Sequence, residues 1–197
     1  PSIDADRIAL KKKVEESLGV LVRQMLVQKN GDLYVFLSDE EQEINREIEN
    51  QQVETAEVIT KVAELIFEDL YKEKKYSYPK FGGRYSFAFN QIVDDRSYKP
   101  NQNHDIGVRV LTPGSGYGEE ETTLRMMSGQ GKEVLVVLPS DASFLSELRS
   151  ALKIEKYLRL NTVQSLAKYE QIKEGKRSEL RDRKENAKLY LCEALKN

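Results

Sequence analysis

Val134-Leu135-Val136-Val137-Leu138 is apolar at every position, rich in β-branched side chains and closed by Pro139. A run this short and without alternation predicts a strand covered on both faces, which is to say a central strand of a sheet. Beyond the proline the spacing changes. Phe144, Leu148, Ala151, Leu152 and Leu158 recur with helical period and predict a helix over about 142–160, with Asp141 placed to cap it. Upstream, Ile106, Val108 and Val110 alternate with Gly107 and Arg109, and Tyr85, Phe87 and Phe89 alternate with Ser86, Ala88 and Asn90. Both patterns read as half-buried strands whose apolar side chains, the three aromatics included, belong to a core. Between them and the apolar run, Thr112 to Gly131 is rich in Gly and Glu and reads as a long exposed loop holding at most a short helix.

Closer to the N-terminus, residues 5–24 have a helical pattern, with Gly19 as a candidate boundary between two shorter helices. Met25 to Leu37 then places Asn30-Gly31 between two β-forming flanks, the chemistry of a type I′ hairpin turn. Ser38 with Glu41 has the capping-box spacing and opens a polar helix over about 39–49. Val53 to Tyr71 forms a better amphipathic helix through Ile59, Val62, Ala63, Ile66, Phe67 and Leu70. Helix, hairpin, helix is also the order in which a winged-helix module ends. A final helix is expected over about 163–195. Its stretch from Lys173 to Lys188 holds only Leu180 and Ala187 as apolar residues, so it is expected to project, bridge or fray.

These patterns predict an α+β fold with a helix–hairpin–helix N-terminal part, a small mixed β-sheet of three or four strands and long C-terminal helices. The parts run over 1–73 (with the hairpin at 25–37), 74–160 and 161–197.

Composition limits the chemistry. The 197 residues carry a net charge of −2 and a single cysteine, Cys192, and a single histidine, His104. Disulfide frameworks and cysteine metal clusters are excluded, and a cytoplasmic setting is the expectation. No apolar run approaches the roughly 18 residues needed to span a bilayer, so no membrane is expected as a partner. Charge is uneven: residues 37–73 carry three basic and twelve acidic side chains, a net of −9, between mildly basic flanks. Such a block repels phosphate and attracts basic partners.

Thr112-Pro113-Gly114-Ser115-Gly116-Tyr117-Gly118 follows a strand, where a phosphate-binding loop belongs. A Walker A loop needs Lys and then Ser or Thr after its last glycine, and here three glutamates follow. Gly129-Gln130-Gly131-Lys132 has Glu133 where the hydroxyl is required. Asp94-Asp95 is the best carboxylate pair, but neighbouring strand residues point to opposite faces and no third ligand accompanies them, so a hydrogen-bonded turn is the simpler reading. His104 lies in a polar turn without ligand companions, and Cys192 beside Leu191 reads as a small buried hydrophobe. The sequence therefore predicts no catalytic residue, no cofactor-binding residue and no metal ligand. Basic residues near aromatic or turn positions make Lys29 and Asn30, at the hairpin tip, and Lys80 and Arg84 the candidate nucleic-acid contacts.

Four stretches, LYVFLSDEEQEINREI at 33–48, IFEDLY at 66–71, YSFAFNQIVDD at 85–95 and FLSELRSALKIEKY at 144–157, together resemble an internal segment of the large P-loop ATPase of bacterial BREX phage-defence systems, the BrxC/PglY family. The resemblance spans roughly 20–160 and carries no catalytic motif. It implies a piece of an AAA+-like ATPase whose ATP and Mg²⁺ bind in another part of the chain. Partners would then be the parent chain's other domains, the other subunits of the defence system and, through it, DNA. The expected role is a non-catalytic structural and interaction region downstream of the nucleotide-binding domain. The alternative is a nucleic-acid-contacting module with the 25–37 hairpin as a wing.

Overall fold

The computed structural model describes residues 3–30, 33–117, 121–160 and 167–196. The chain forms two compact units, residues 1–52 with 153–176 and residues 53–152 with 177–197.

In the first unit, α1 (Ile3–Arg23) runs without interruption through Gly19. That glycine is a candidate boundary in the sequence, yet one glycine, half-buried here, is a small cost to a 21-residue helix. The hairpin follows as β1 (Val27–Asn30) and β2 (Leu33–Phe36). Its register pairs Asn30 with Leu33, so Asn30 ends the strand and does not occupy a central turn position. The expected turn type falls on Gly31 and Asp32, outside the described residues. The helix α2 (Asp39–Glu49) opens with the anticipated box: the Glu41 N–H donates to Ser38 Oγ at 3.3 Å, and the Ser38 N–H donates to Glu41 Oε2 at 2.8 Å. Ile44 and Ile48 of α2, Val27 of the hairpin, and Ile154 and Tyr157 are its buried apolar residues. Lys153 Nζ donates to the Glu49 carbonyl at 2.9 Å and carboxylate at 2.7 Å.

The second unit is built on a mixed four-stranded sheet of β5 (Asn90–Val93), β6 (Arg96–Ser97), β7 (Gly107–Leu111) and β8 (Glu133–Val137), in the order β6-β5-β7-β8. The pairs β5–β7 and β7–β8 are parallel and β5–β6 is antiparallel. The interior strands are thus β5 and β7, and the apolar run falls in β8, an edge strand with Val134 63% and Val137 48% exposed. An apolar run shows that side chains can be buried; which strand has neighbours on both sides depends on chain topology.

One core joins α3 (Thr55–Glu64) to the sheet through Val58, Val62, Val93 and Val110, with Phe144 and Leu148 of α5 (Ser143–Leu160) and Ala187 and Leu191 of α6 (Ala167–Ala194). A fully buried side chain of this kind contributes about 1.5–3 kcal/mol. The expected helix 53–71 ends as α at Glu64 and widens into a π-helical segment, Leu65–Leu70, where the Tyr71 N–H reaches back to the Ile66 carbonyl at 2.6 Å. The last helix packs here instead of projecting: Ala187 and Leu191 are fully buried, and Arg183 pairs with Glu179 at 2.9 Å and Glu147 at 3.2 Å. Two apolar residues at the contact, with ion pairs around them, seat a helix whose composition is otherwise polar.

Where a long loop holding at most a short helix was expected between β7 and β8, the 11-residue α4 (Glu121–Gly131) provides the crossover of a β-α-β unit. The single alternating strand expected at 85–90 is in fact two elements. β4 (Ser86–Ala88) pairs with β3 (Lys75–Ser77) in a separate antiparallel ribbon, while β5 joins the main sheet.

Candidate functional site

Parallel strands concentrate polar groups at their carboxyl ends, and this is where the second unit is chemically richest. β5 ends in Asp94-Asp95. Asp94 has φ of 50°, a left-handed conformation that Asp tolerates better than most residues, and its side chain is directed at the end of β7. Its two oxygens accept from the Thr112 N–H at 2.7 Å and the Thr112 hydroxyl at 2.9 Å. Both residues are buried. Burial raises the Asp94 carboxyl above the ordinary carboxylate range, the neighbouring Asp95 charge adds to this, and the Thr112 bonds oppose it. Asp95 is instead exposed and accepts from the Tyr117 hydroxyl at 2.6 Å. The two carboxylates diverge, as adjacent residues at a strand end do.

Below them Arg109, on β7, forms a two-pronged bond with Glu133 on β8, at 2.6 and 3.0 Å, and donates to the Asp94 carbonyl at 2.6 Å. The Glu133 bonds hold the guanidinium firmly protonated. Apart from the exposed Asp95, the donors and acceptors of this constellation are spent on one another. It ties the carboxyl end of β5 to the middle of β7 and the first residue of β8 and presents no convergent set of ligands, and among the described residues no group of His, Cys, Asp or Glu is arranged to hold a metal ion.

The glycine-rich loop lies directly after β7, the position of a phosphate loop, but its first hydrogen bonds are its own. The Gly114 N–H donates to Thr112 Oγ1 and the Ser115 N–H to the Thr112 carbonyl. Gly118 and the two glutamates after it lie outside the described residues. The His104 backbone exchanges two bonds with the Asn90 side chain and so pins the segment leading into β7.

On one side of the sheet, an apolar groove of about 1100 Å³ opens among Phe67, Tyr76, Phe89, Val108, Val134 and Cys192. Cys192 is half-buried at this groove, not enclosed beside Leu191.

The candidate nucleic-acid contacts fall in separate places. Lys29 is on β1 with its ammonium 5.7 Å from the Tyr34 ring centre, and Asn30 ends the same strand. Lys80 lies in a short 3₁₀ turn, Pro79–Phe81, and Arg84 just beyond it, both exposed and both on the connection between β3 and β4. Of the three aromatics expected in the core, only Phe89 is buried, at 4% exposure. Tyr85 and Phe87 stand on the two-stranded ribbon, 51% and 49% exposed. The period-two alternation that suggested a buried face was sound as a strand signal, but on this ribbon that face is only half covered.

Residues 51–197 match the family model described as the BREX ATP-binding protein BrxC fourth domain with six-stranded beta sheet. The chain belongs to the BrxC family. Within the matched region β3 to β8 make six strands, arranged here as the four-stranded sheet and the two-stranded ribbon. The match begins at residue 51, beside the start of the second compact unit at Val53. This BrxC segment is a later domain of its family's architecture and not the ATPase core. No solved structure matches the chain. None of its helices, among the described residues, is long and apolar enough to cross a membrane.

Proposed function

We propose that this segment is a non-catalytic structural and interaction region of a BREX phage-defence ATPase, downstream of its nucleotide-binding domain. The observation that carries this reading is the contrast between a polar cluster that satisfies itself and apolar side chains left in water. In the first unit Ile8 is 71%, Leu33 70% and Phe36 79% exposed, on α1 and β2. Exposed apolar side chains of this size at several positions of one unit are what a surface covered in a larger assembly would leave behind. The occupants it favours are other domains of the parent chain and other subunits of the defence system. The acidic stretch 37–73 would add charge complementarity toward a basic partner.

The test is co-elution of the full-length parent protein with its co-expressed defence subunits, comparing wild type with Leu33→Asp and Phe36→Asp. Loss of assembly or of phage exclusion, with the isolated chain still folded, supports the reading. Full assembly in both variants removes it. ATP turnover by the isolated chain would do the same.

The alternative, nucleic-acid contact with the 25–37 hairpin as a wing, finds little support at the hairpin itself. Lys29 is the one cation in that stretch, Asp32 offsets it, and the exposed residues of β2 are apolar. Lys80 and Arg84 have better company.

A further inference from the structure

The β3–β4 ribbon pairs Tyr76 with Phe87 and Ser77 with Ser86, and the Tyr78 N–H donates to the Tyr85 carbonyl at 2.8 Å as the next rung. Strand alternation therefore gathers Tyr76, Tyr78, Tyr85 and Phe87 on one face and sends Lys75, Ser77, Ser86 and Ala88 to the other. Tyr76 is 48% exposed, matching Tyr85 and Phe87.

The same segment is locally basic. Residues 72–88 carry Lys72, Lys74, Lys75, Lys80 and Arg84 against Glu73 alone, a net of +4, while the whole chain stands at −2. All five cations are exposed, and none forms an ion pair among the described residues.

From this juxtaposition we infer that the ribbon is a platform for single-stranded nucleic acid, with bases stacking on Tyr76, Tyr85 and Phe87 and phosphates neutralised by Lys80, Arg84 and the Lys72–Lys75 run. Aromatic rings at half exposure offer π-faces that any base can stack on, and flanking cations hold the backbone without reading sequence. A duplex hides its base faces in its own stack, so the ribbon's chemistry favours an unpaired strand. The inference is independent of the protein-binding role proposed for the first unit, because it uses no residue of that unit.

The experiment is fluorescence anisotropy of a labelled oligo-dT of about 20 nucleotides, and of a duplex of equal length, titrated with the 197-residue chain at two salt concentrations. Tyrosine emission provides a second readout, since the chain has no tryptophan and stacking on bases quenches tyrosine. The single strand is expected to bind more tightly than the duplex. Engagement of five phosphates predicts a loss of roughly a hundredfold between 50 and 200 mM salt. Tyr85→Ala and Phe87→Ala should each weaken binding about tenfold. Tyr85→Phe should restore it, and Lys80→Glu with Arg84→Glu should abolish it, all with unchanged circular dichroism. Absence of single-strand binding at low salt, equal affinity for duplex, or undiminished affinity in the Tyr85→Ala, Phe87→Ala double variant overturns the inference. So does self-association that depends on Phe87 without nucleic-acid affinity, which would assign the face to a second copy of the chain.

Discussion

Replacing Asp94 by Ala and by Asn separates the role of its shape from the role of its charge. Asp94→Ala removes the acceptor of the Thr112 N–H, in a place where Thr112 is 3% exposed and water cannot substitute. A buried donor left without a partner costs about 1–3 kcal/mol. Alanine must also hold the left-handed backbone at φ 50°, where asparagine and aspartate sit more easily, at a further cost of about 1 kcal/mol. Loss of the bond from the Thr112 hydroxyl is partly offset by removal of a buried charge, leaving an expected destabilisation of about 2–4 kcal/mol. Asp94→Asn keeps the backbone preference, accepts from the Thr112 N–H through its carbonyl and donates to Oγ1 through its amide. Its expected effect at neutral pH is within about 1 kcal/mol of zero.

The assay is urea unfolding of the second unit, with hydrogen exchange of the Thr112 amide as the local probe. At typical urea slopes the alanine variant should shift the midpoint by about 1–2 M. The raised carboxyl adds a pH signature. Folded Asp94 binds its proton more tightly than the unfolded chain does, so its contribution is fully present below the unfolded value near 3.8 and is lost as pH rises through the folded value. Wild type should therefore gain on Asp94→Asn as pH falls through that range. An alanine variant as stable as wild type, or an asparagine variant as damaged as alanine with a flat pH difference, refutes this account of the strand-end bonds.

Two further perturbations probe the same unit. A Cβ on Gly107 would sit 3.0 Å from Glu133 Cγ, and Glu133 cannot yield while Arg109 holds it, so Gly107→Ala should cost about 1–2 kcal/mol in urea unfolding. Combined with Glu133→Ala, the same change should cost less than the sum of the two, and strict additivity would contradict the clash. Tyr98, half-buried and stacked on Phe67 and donating to Glu68, has its phenol pushed up to about 12. Since the raised phenol favours folding below the unfolded value near 10 and loses that advantage toward 12, Tyr98→Phe should flatten that part of the alkaline stability loss. An unchanged alkaline profile in the variant would locate the loss elsewhere.

The parts of this protein that were legible in its sequence share a short range. The Ser38–Glu41 box closes across three residues, the hairpin across a two-residue connection, and the α5 face within each turn of helix, so side-chain type and spacing suffice to specify them. The turn reading of Asp94-Asp95 likewise followed from the opposed directions of adjacent strand residues.

What the sequence could not determine was which elements cover which. Apolar residues at 134–138 are equally suited to a central or an edge strand. Only the crossover through α4, and the absence of a further strand beside β8 among the described residues, put β8 at the edge. Tyr85 and Phe89 are four residues apart and share one alternation, yet one is half exposed and the other is buried, because the chain leaves the ribbon between them and enters the sheet. Thr112 as the partner of Asp94 is 18 residues away and is met only through the pairing of β5 with β7. Sequence by itself thus determined the local elements, whose free energies come from neighbours along the chain. Tertiary structure alone decided burial, strand order and the open aromatic face, because those depend on surfaces brought together from distant parts of the chain.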